Sequence, residues 1–161
     1  MIALISDAGM RLSEALGLVW DDIKLDQQYP HVDLLPHSWR PLKTAGSKRL
    51  IPLVGHALEA VKIIHKQRGT YCYLFKSYTD GTKCNGNSAS AALNKWLRKY
   101  TEQGVVHSFR HSFRDRLREA DVSMELIDQL GGWAASSIGQ GYGSGHSLQK
   151  KYEAMERIVL I

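Results

Sequence analysis

The sequence predicts a mainly α-helical domain with one small antiparallel β-sheet, an α+β fold. Apolar residues recur at helical spacing in several separated stretches, whereas short extended segments bordered by turn formers are confined to residues 31–53. The length of 161 residues suits a single domain over 1–161, enough to bury roughly two thirds of the unfolded surface around one core.

Residues 2–8 read as the end of a helix and 13–18 as a short second one, with Gly9 marking a sharp turn between them. Extended pieces follow near 31–35, 39–43 and 48–53, kept short by Pro30, Pro36 and Pro41. A glycine-containing turn lies between apolar-rich runs there and places Lys43 at the tip of a hairpin. Ala57, Leu58, Val61 and Ile64 form the apolar stripe of a helix over 56–68, and Ala92, Leu93, Trp96 and Leu97 repeat the pattern over 88–100 after an Asn85-Gly86 turn. A helix over 106–120 carries His107 and Arg110 at its start. Ser123 caps the next, which bears Met124, Leu126, Ile127 and Leu130, and Gly131 and Gly132 end it so that Trp133 emerges just beyond. Leu148, Tyr152, Met155 and Val159 stand opposite Lys150, Lys151, Glu153 and Arg157 in an amphipathic helix over 147–161.

A net charge of +5 favours a polyanionic partner. Cys72 and Cys84 fit neither a metal-ligand spacing nor a disulfide framework, so they read as ordinary thiols in a reducing compartment. No apolar run approaches the roughly 20 residues that span a bilayer, and Met1-Ile2-Ala3-Leu4-Ile5 lacks the basic start and the length of a signal peptide. The expectation is a soluble protein of the cytoplasm with no membrane association.

The chemistry concentrates in a few residues. His107 and Arg110, three apart, share a face at a helix start, where free backbone N–H groups also point outward, a site suited to an anion. Arg11 is a second candidate cation, and two fixed guanidiniums can grip the non-bridging oxygens of a phosphodiester. Tyr142, in a glycine-flanked run, can attack phosphorus beside such a clamp. Trp133 can donate its indole N–H to a phosphate oxygen. Lys43 can reach a neighbouring pocket from its hairpin and protonate a leaving oxygen, with Lys48 as the alternative. His111 is expected on a different face, Tyr152 on an apolar stripe, and Arg114, Arg116 and Arg118 on a solvated helix face with some contact to the backbone of the polyanionic partner.

Taken in order, Gly9-Met10-Arg11-Leu12-Ser13-Glu14, Leu18-Val19-Trp20-Asp21-Asp22-Ile23, the lysine hairpin, His107-x-x-Arg110, Gly132-Trp133 and Tyr142 closely resemble the catalytic domain of the tyrosine recombinases, the family of phage-type integrases. The resemblance covers nearly the whole chain. It implies a site-specific recombinase that cleaves and rejoins double-stranded DNA through a covalent 3′-phosphotyrosine. In those terms Tyr142 is the nucleophile, Arg11 and Arg110 the phosphate clamp, Lys43 the general acid, His107 an acid/base and hydrogen-bonding group, and Trp133 the occupant of a position that is histidine or tryptophan in the family. Glu14 would steady the clamp. These side chains neutralise the developing charge themselves, so no metal or cofactor is expected.

The resemblance also implies a bacterial or phage-encoded protein and self-association on DNA, in which the last helix either packs on its own domain or docks on a neighbour. It further implies that the chain is a fragment, without the family's longer helical lead-in and separate DNA-clamping domain. The tyrosine segment departs from the family in its many glycines and in a histidine, His146, four residues beyond Tyr142. A type IB topoisomerase uses the same constellation to nick and reseal one strand, and a non-catalytic DNA-binding remnant is the reading of a different class.

Overall fold

Where apolar residues recur at helical spacing the chain is helical, as a computed structural model describing residues 1–134 and 145–160 makes explicit. Along the chain run α1 (Ile2–Ser6), α2 (Leu12–Leu16), β1 (Ile23–Lys24), β2 (His31–Leu34), β3 (Arg49–Pro52), α3 (Gly55–Lys66), α4 (Gly86–Leu97), α5 (Val106–Glu119), α6 (Met124–Gly131) and α7 (Leu148–Glu156). Local chemistry sets several boundaries. The side chains of Asn85, Ser123 and Ser147 accept the Ser88, Leu126 and Lys150 backbone N–H groups at 3.2, 3.4 and 3.2 Å, capping α4, α6 and α7. Gly132, at φ 62°, closes α6 in the left-handed conformation that glycine adopts without strain.

The sheet is antiparallel in the order β1-β2-β3, with Ile23 opposite Val32 and Leu34 opposite Arg49. Its inward face contributes Val32, Leu34 and Ile51 to a core completed by Leu4, Met10, Phe113, Leu117, Ile127 and Leu130. Helix α7 closes this core from its own chain: it packs on β3 and buries Ala154 and Met155, with Ile158 just beyond it. Gly9 is the other glycine whose conformation matters. At φ 60° it lies against the Phe113 ring so closely that a methyl there would overlap it, which seats the turn between α1 and α2 on α5.

The expected strand over 39–43 does not form, and Lys43 is not at a hairpin tip. It lies in a long connection between β2 and β3. Pro36 and Pro41 supply no ladder N–H, and Arg40 turns inward. Its guanidinium donates to Asp22 Oδ2 and to the Leu35 carbonyl, each at 2.9 Å. His37 lies 2.8 Å from the other oxygen of Asp22 and stacks on Trp39 at 4.5 Å between centroids. Strand β1, which no pattern announced, pairs two residues with β2.

The basic run on α5 also differs from expectation. Arg118 is exposed, but Arg116 donates to the Ser6 carbonyl and, at 2.8 Å, to that of Ile158, while Arg114 pairs with Asp128 at 3.1 Å. Among the described residues no helix is long and apolar enough to cross a membrane.

Candidate active site

Arg11 sits at the N-cap of α2, and Glu14 three residues on returns to it. The carboxylate accepts the Arg11 backbone N–H at 2.8 Å and pairs with its guanidinium at 2.6 Å. Two further bonds from the Arg11 guanidinium reach Ser47 Oγ at 3.2 Å and the Gly132 carbonyl at 2.8 Å. One side chain thereby ties α2 to the β2–β3 connection and to the end of α6.

Glu14 is buried and serves a second guanidinium. Arg49 donates to its two oxygens at 3.0 and 3.3 Å, and also to the carbonyls of Leu130 and Ser47, both at 2.8 Å. Burial alone would push the Glu14 carboxyl up. The charge and hydrogen bond of Arg49, with the backbone N–H and guanidinium of Arg11, outweigh it and bring the carboxyl below its ordinary value.

Arg110, the fifth residue of α5, projects into the interior, where its guanidinium donates to the Gly9 and Gly131 carbonyls. Burial, then the charges of Arg11 and Arg49, push it down to about 9, so it still carries its charge at neutral pH. Its carbon centre lies 4.4 Å from the Trp133 ring centroid, and that of Arg114 lies 4.7 Å from the same ring. The backbone N–H of Trp133 donates to the Asp128 carbonyl at 3.0 Å.

Three of the expected residues meet at one cleft of about 620 Å³, lined by Arg11, Lys43, Thr44, Gly46, Glu125, Asp128, Gln129, Gly132, Trp133 and Ala134. Arg110 lies behind its Trp133 wall. Lys43 and Lys48 are both exposed, and of the two Lys43 alone is part of the described lining. His107 is exposed on α5 and borders a second hollow of about 380 Å³ beside Leu12, the residue after Arg11.

The His107 ring meets that of His111 edge-on at 4.9 Å, so His111 shares its face rather than pointing elsewhere. Burial, then the positive surroundings of His111, Arg110 and Arg11, hold His107 below the ordinary histidine range. Tyr142 lies outside the described residues. Its rival Tyr152 packs against the core beside Tyr29, 5.3 Å between ring centroids, and its hydroxyl is pushed up by burial and by Glu156.

Arg49, Asp128 and Arg114 were not among the expected site residues. Arg49 left one signal: strand alternation puts it on the same face as buried Ile51, where a charged residue needs a partner. The partner, Glu14, is thirty-five positions away in sequence, and periodicity does not reveal it.

The model of the phage integrase family matches residues 1–146. The tyrosine recombinase XerC of Neisseria gonorrhoeae is 27% identical over 146 residues, covering 88% of this chain and 45% of that protein. The XerC protein of Psychromonas ingrahamii is 30% identical over 150 residues, covering 88% and 46%. The chain thus spans about half the length of these curated relatives. Among solved structures, the XerA recombinase superposes with a TM-score of 0.62 at 15% identity, covering 96% of this chain and 49% of that one. The Tn1549 transposon integrase in complex with circular intermediate DNA superposes with a TM-score of 0.59 at 21% identity, covering 87% and 56%. The ordered motifs, the fold that joins Arg11, Lys43 and Trp133 at one cleft, and a family match over nearly the full length lead to one conclusion: the chain belongs to the phage integrase family.

Proposed function

We propose that this chain is the catalytic part of a site-specific DNA recombinase that breaks and rejoins strands through a covalent 3′-phosphotyrosine. The observation that carries the reading is the convergence of Arg11, Lys43 and Trp133 on one cleft backed by Arg110. The tyrosine recombinases among its relatives and the DNA in the transposon integrase structures support it.

The scissile phosphate occupies the cleft, where the Arg11 guanidinium and the Trp133 indole N–H, backed by the buried charge of Arg110, stabilise charge on the non-bridging oxygens as phosphorus becomes five-coordinate. Tyr142 Oη forms the new bond to phosphorus while the bond to the 5′-oxygen breaks, with His107 as the acid/base group for the tyrosine proton. Lys43 delivers a proton to the departing oxygen, a transfer of the kind worth about 10²–10⁴-fold. The phosphotyrosine retains the ester's energy, so a 5′-hydroxyl of another strand reverses the step.

The same proposal includes a cytoplasmic setting, a companion DNA-clamping domain and self-association on DNA. Because α7 lies on its own β3, coupling copies through it requires the helix to leave that seat for the equivalent one on a neighbour.

The test is a suicide duplex that traps the adduct. In the full-length protein, Tyr142→Phe abolishes the covalent product and leaves DNA binding nearly intact. An adduct that survives, or that maps to Tyr152, overturns the assignment. Lys43→Ala is rescued by a substrate whose bridging 5′-oxygen is sulfur, and Arg11→Ala is not. Rescue of Lys48→Ala instead moves the general acid to Lys48.

A further inference from the structure

We infer that Arg114, anchored by Asp128, is a positioning residue that holds Trp133 against Arg110 and so sets one wall of the phosphate cleft. This rests on the proposed strand-cleavage reading.

Arg114 follows Arg110 by four positions on α5, one helical turn, so both guanidiniums rise on the same side of the helix. They approach one indole at 4.4 and 4.7 Å, distances at which a cation is attracted to the ring face. Asp128 then holds the tryptophan twice. Its carbonyl takes the Trp133 backbone N–H at 3.0 Å, and its carboxylate, on a side chain only 6% exposed, takes Arg114 Nη2 at 3.1 Å.

Trp133 needs this hold because it follows Gly132, the left-handed end of α6, and lies beyond the regular hydrogen bonding of the helix. Gly131 leaves no room for a methyl beneath the ring. With Gly131 below and guanidiniums against the indole, the ring is kept at the cleft wall rather than free to swing across the opening.

An arginine so placed could instead touch a DNA phosphate directly, and the two roles give different signatures. A positioning residue acts only through Trp133. A phosphate contact acts through affinity and salt.

The experiment compares the wild-type chain with Arg114→Ala, Arg114→Lys, Trp133→Ala and the Arg114→Ala/Trp133→Ala double variant. Two readouts are used: single-turnover adduct formation on a suicide duplex, and NMR of the arginine side chains in the free protein. Arg114→Ala slows adduct formation at saturating DNA by roughly tenfold, the scale of one desolvated cation–π contact, and leaves affinity almost unchanged. Arg114→Lys keeps the charge and a partner for Asp128 but not the flat guanidinium, so it recovers only part of the rate. In the Trp133→Ala background the loss of Arg114 adds less than about twofold.

In the free protein the Arg114 side-chain protons are shifted by the indole ring current, and Trp133→Ala removes that shift. Additive losses in the double variant, a missing ring-current shift, or a defect confined to affinity with a salt slope reduced by about one each overturn the inference. A full-length wild-type protein that shows the shift but forms no adduct overturns the strand-cleavage reading, and with it the part given to Arg114 in cleavage.

Discussion

Glu14 holds two guanidiniums that would otherwise face each other across α2 and β3. Removing its charge strands both, and Glu14→Gln is expected to cost about 3–5 kcal/mol in urea unfolding at neutral pH, as for other broken buried pairs. The pH dependence follows from the direction of its shift. The folded carboxyl titrates below its unfolded value, so its contribution is complete above the unfolded value of about 4.3 and is lost as pH falls through the lower folded one. The gap between wild type and Glu14→Gln therefore narrows on acidification, and a gap that widens there contradicts the pairing. Arg11, Lys43 and Trp133, which the structure brings to one cleft, and Arg110 behind it were legible as candidates because each stands in a short motif. Arg49 was not, since its role exists only once β3, α2 and the end of α6 are brought together.

At the level of elements the most sensitive point is the end of α6. Gly131 is helical, and alanine would ordinarily improve a helix by roughly 1 kcal/mol. Here a methyl overlaps the Trp133 ring. Gly131→Ala is expected to displace the indole from Arg110 and to destabilise by about 1–3 kcal/mol through overpacking, visible as a changed Trp133 indole resonance. Gly46→Ala, at the same cleft, meets nothing within 4 Å and serves as the control. The helices were legible because their apolar stripes and caps are local. The Lys43 connection was not. Its path depends on Arg40 seeking Asp22 and on prolines that refuse a ladder, and the strand pattern over 39–43 was overridden by that buried ion pair. Lys43 nevertheless reaches the cleft, carried by the connection instead of a hairpin tip.

Over the whole molecule, the core is completed by residues far apart in the chain. Met155 is fully buried, and Met155→Ala is expected to cost about 2–5 kcal/mol. Because α7 sits on its own β3, the denaturation midpoint should not vary with protein concentration, whereas a helix seated on a neighbour would make it do so. The α+β architecture was readable from periodicity, but the destination of the amphipathic helix over 147–161 was not, for an apolar stripe does not say which surface it covers. The cis seat of α7 also bears on synthesis. The segment that seals β3 leaves the ribosome after every other element of the described fold, at about 5–20 residues per second. Until then β3 lacks its α7 cover and has β2 and α6 against it, so a message truncated before Ser147 yields a polypeptide open to chaperones and proteases rather than a smaller version of the folded protein.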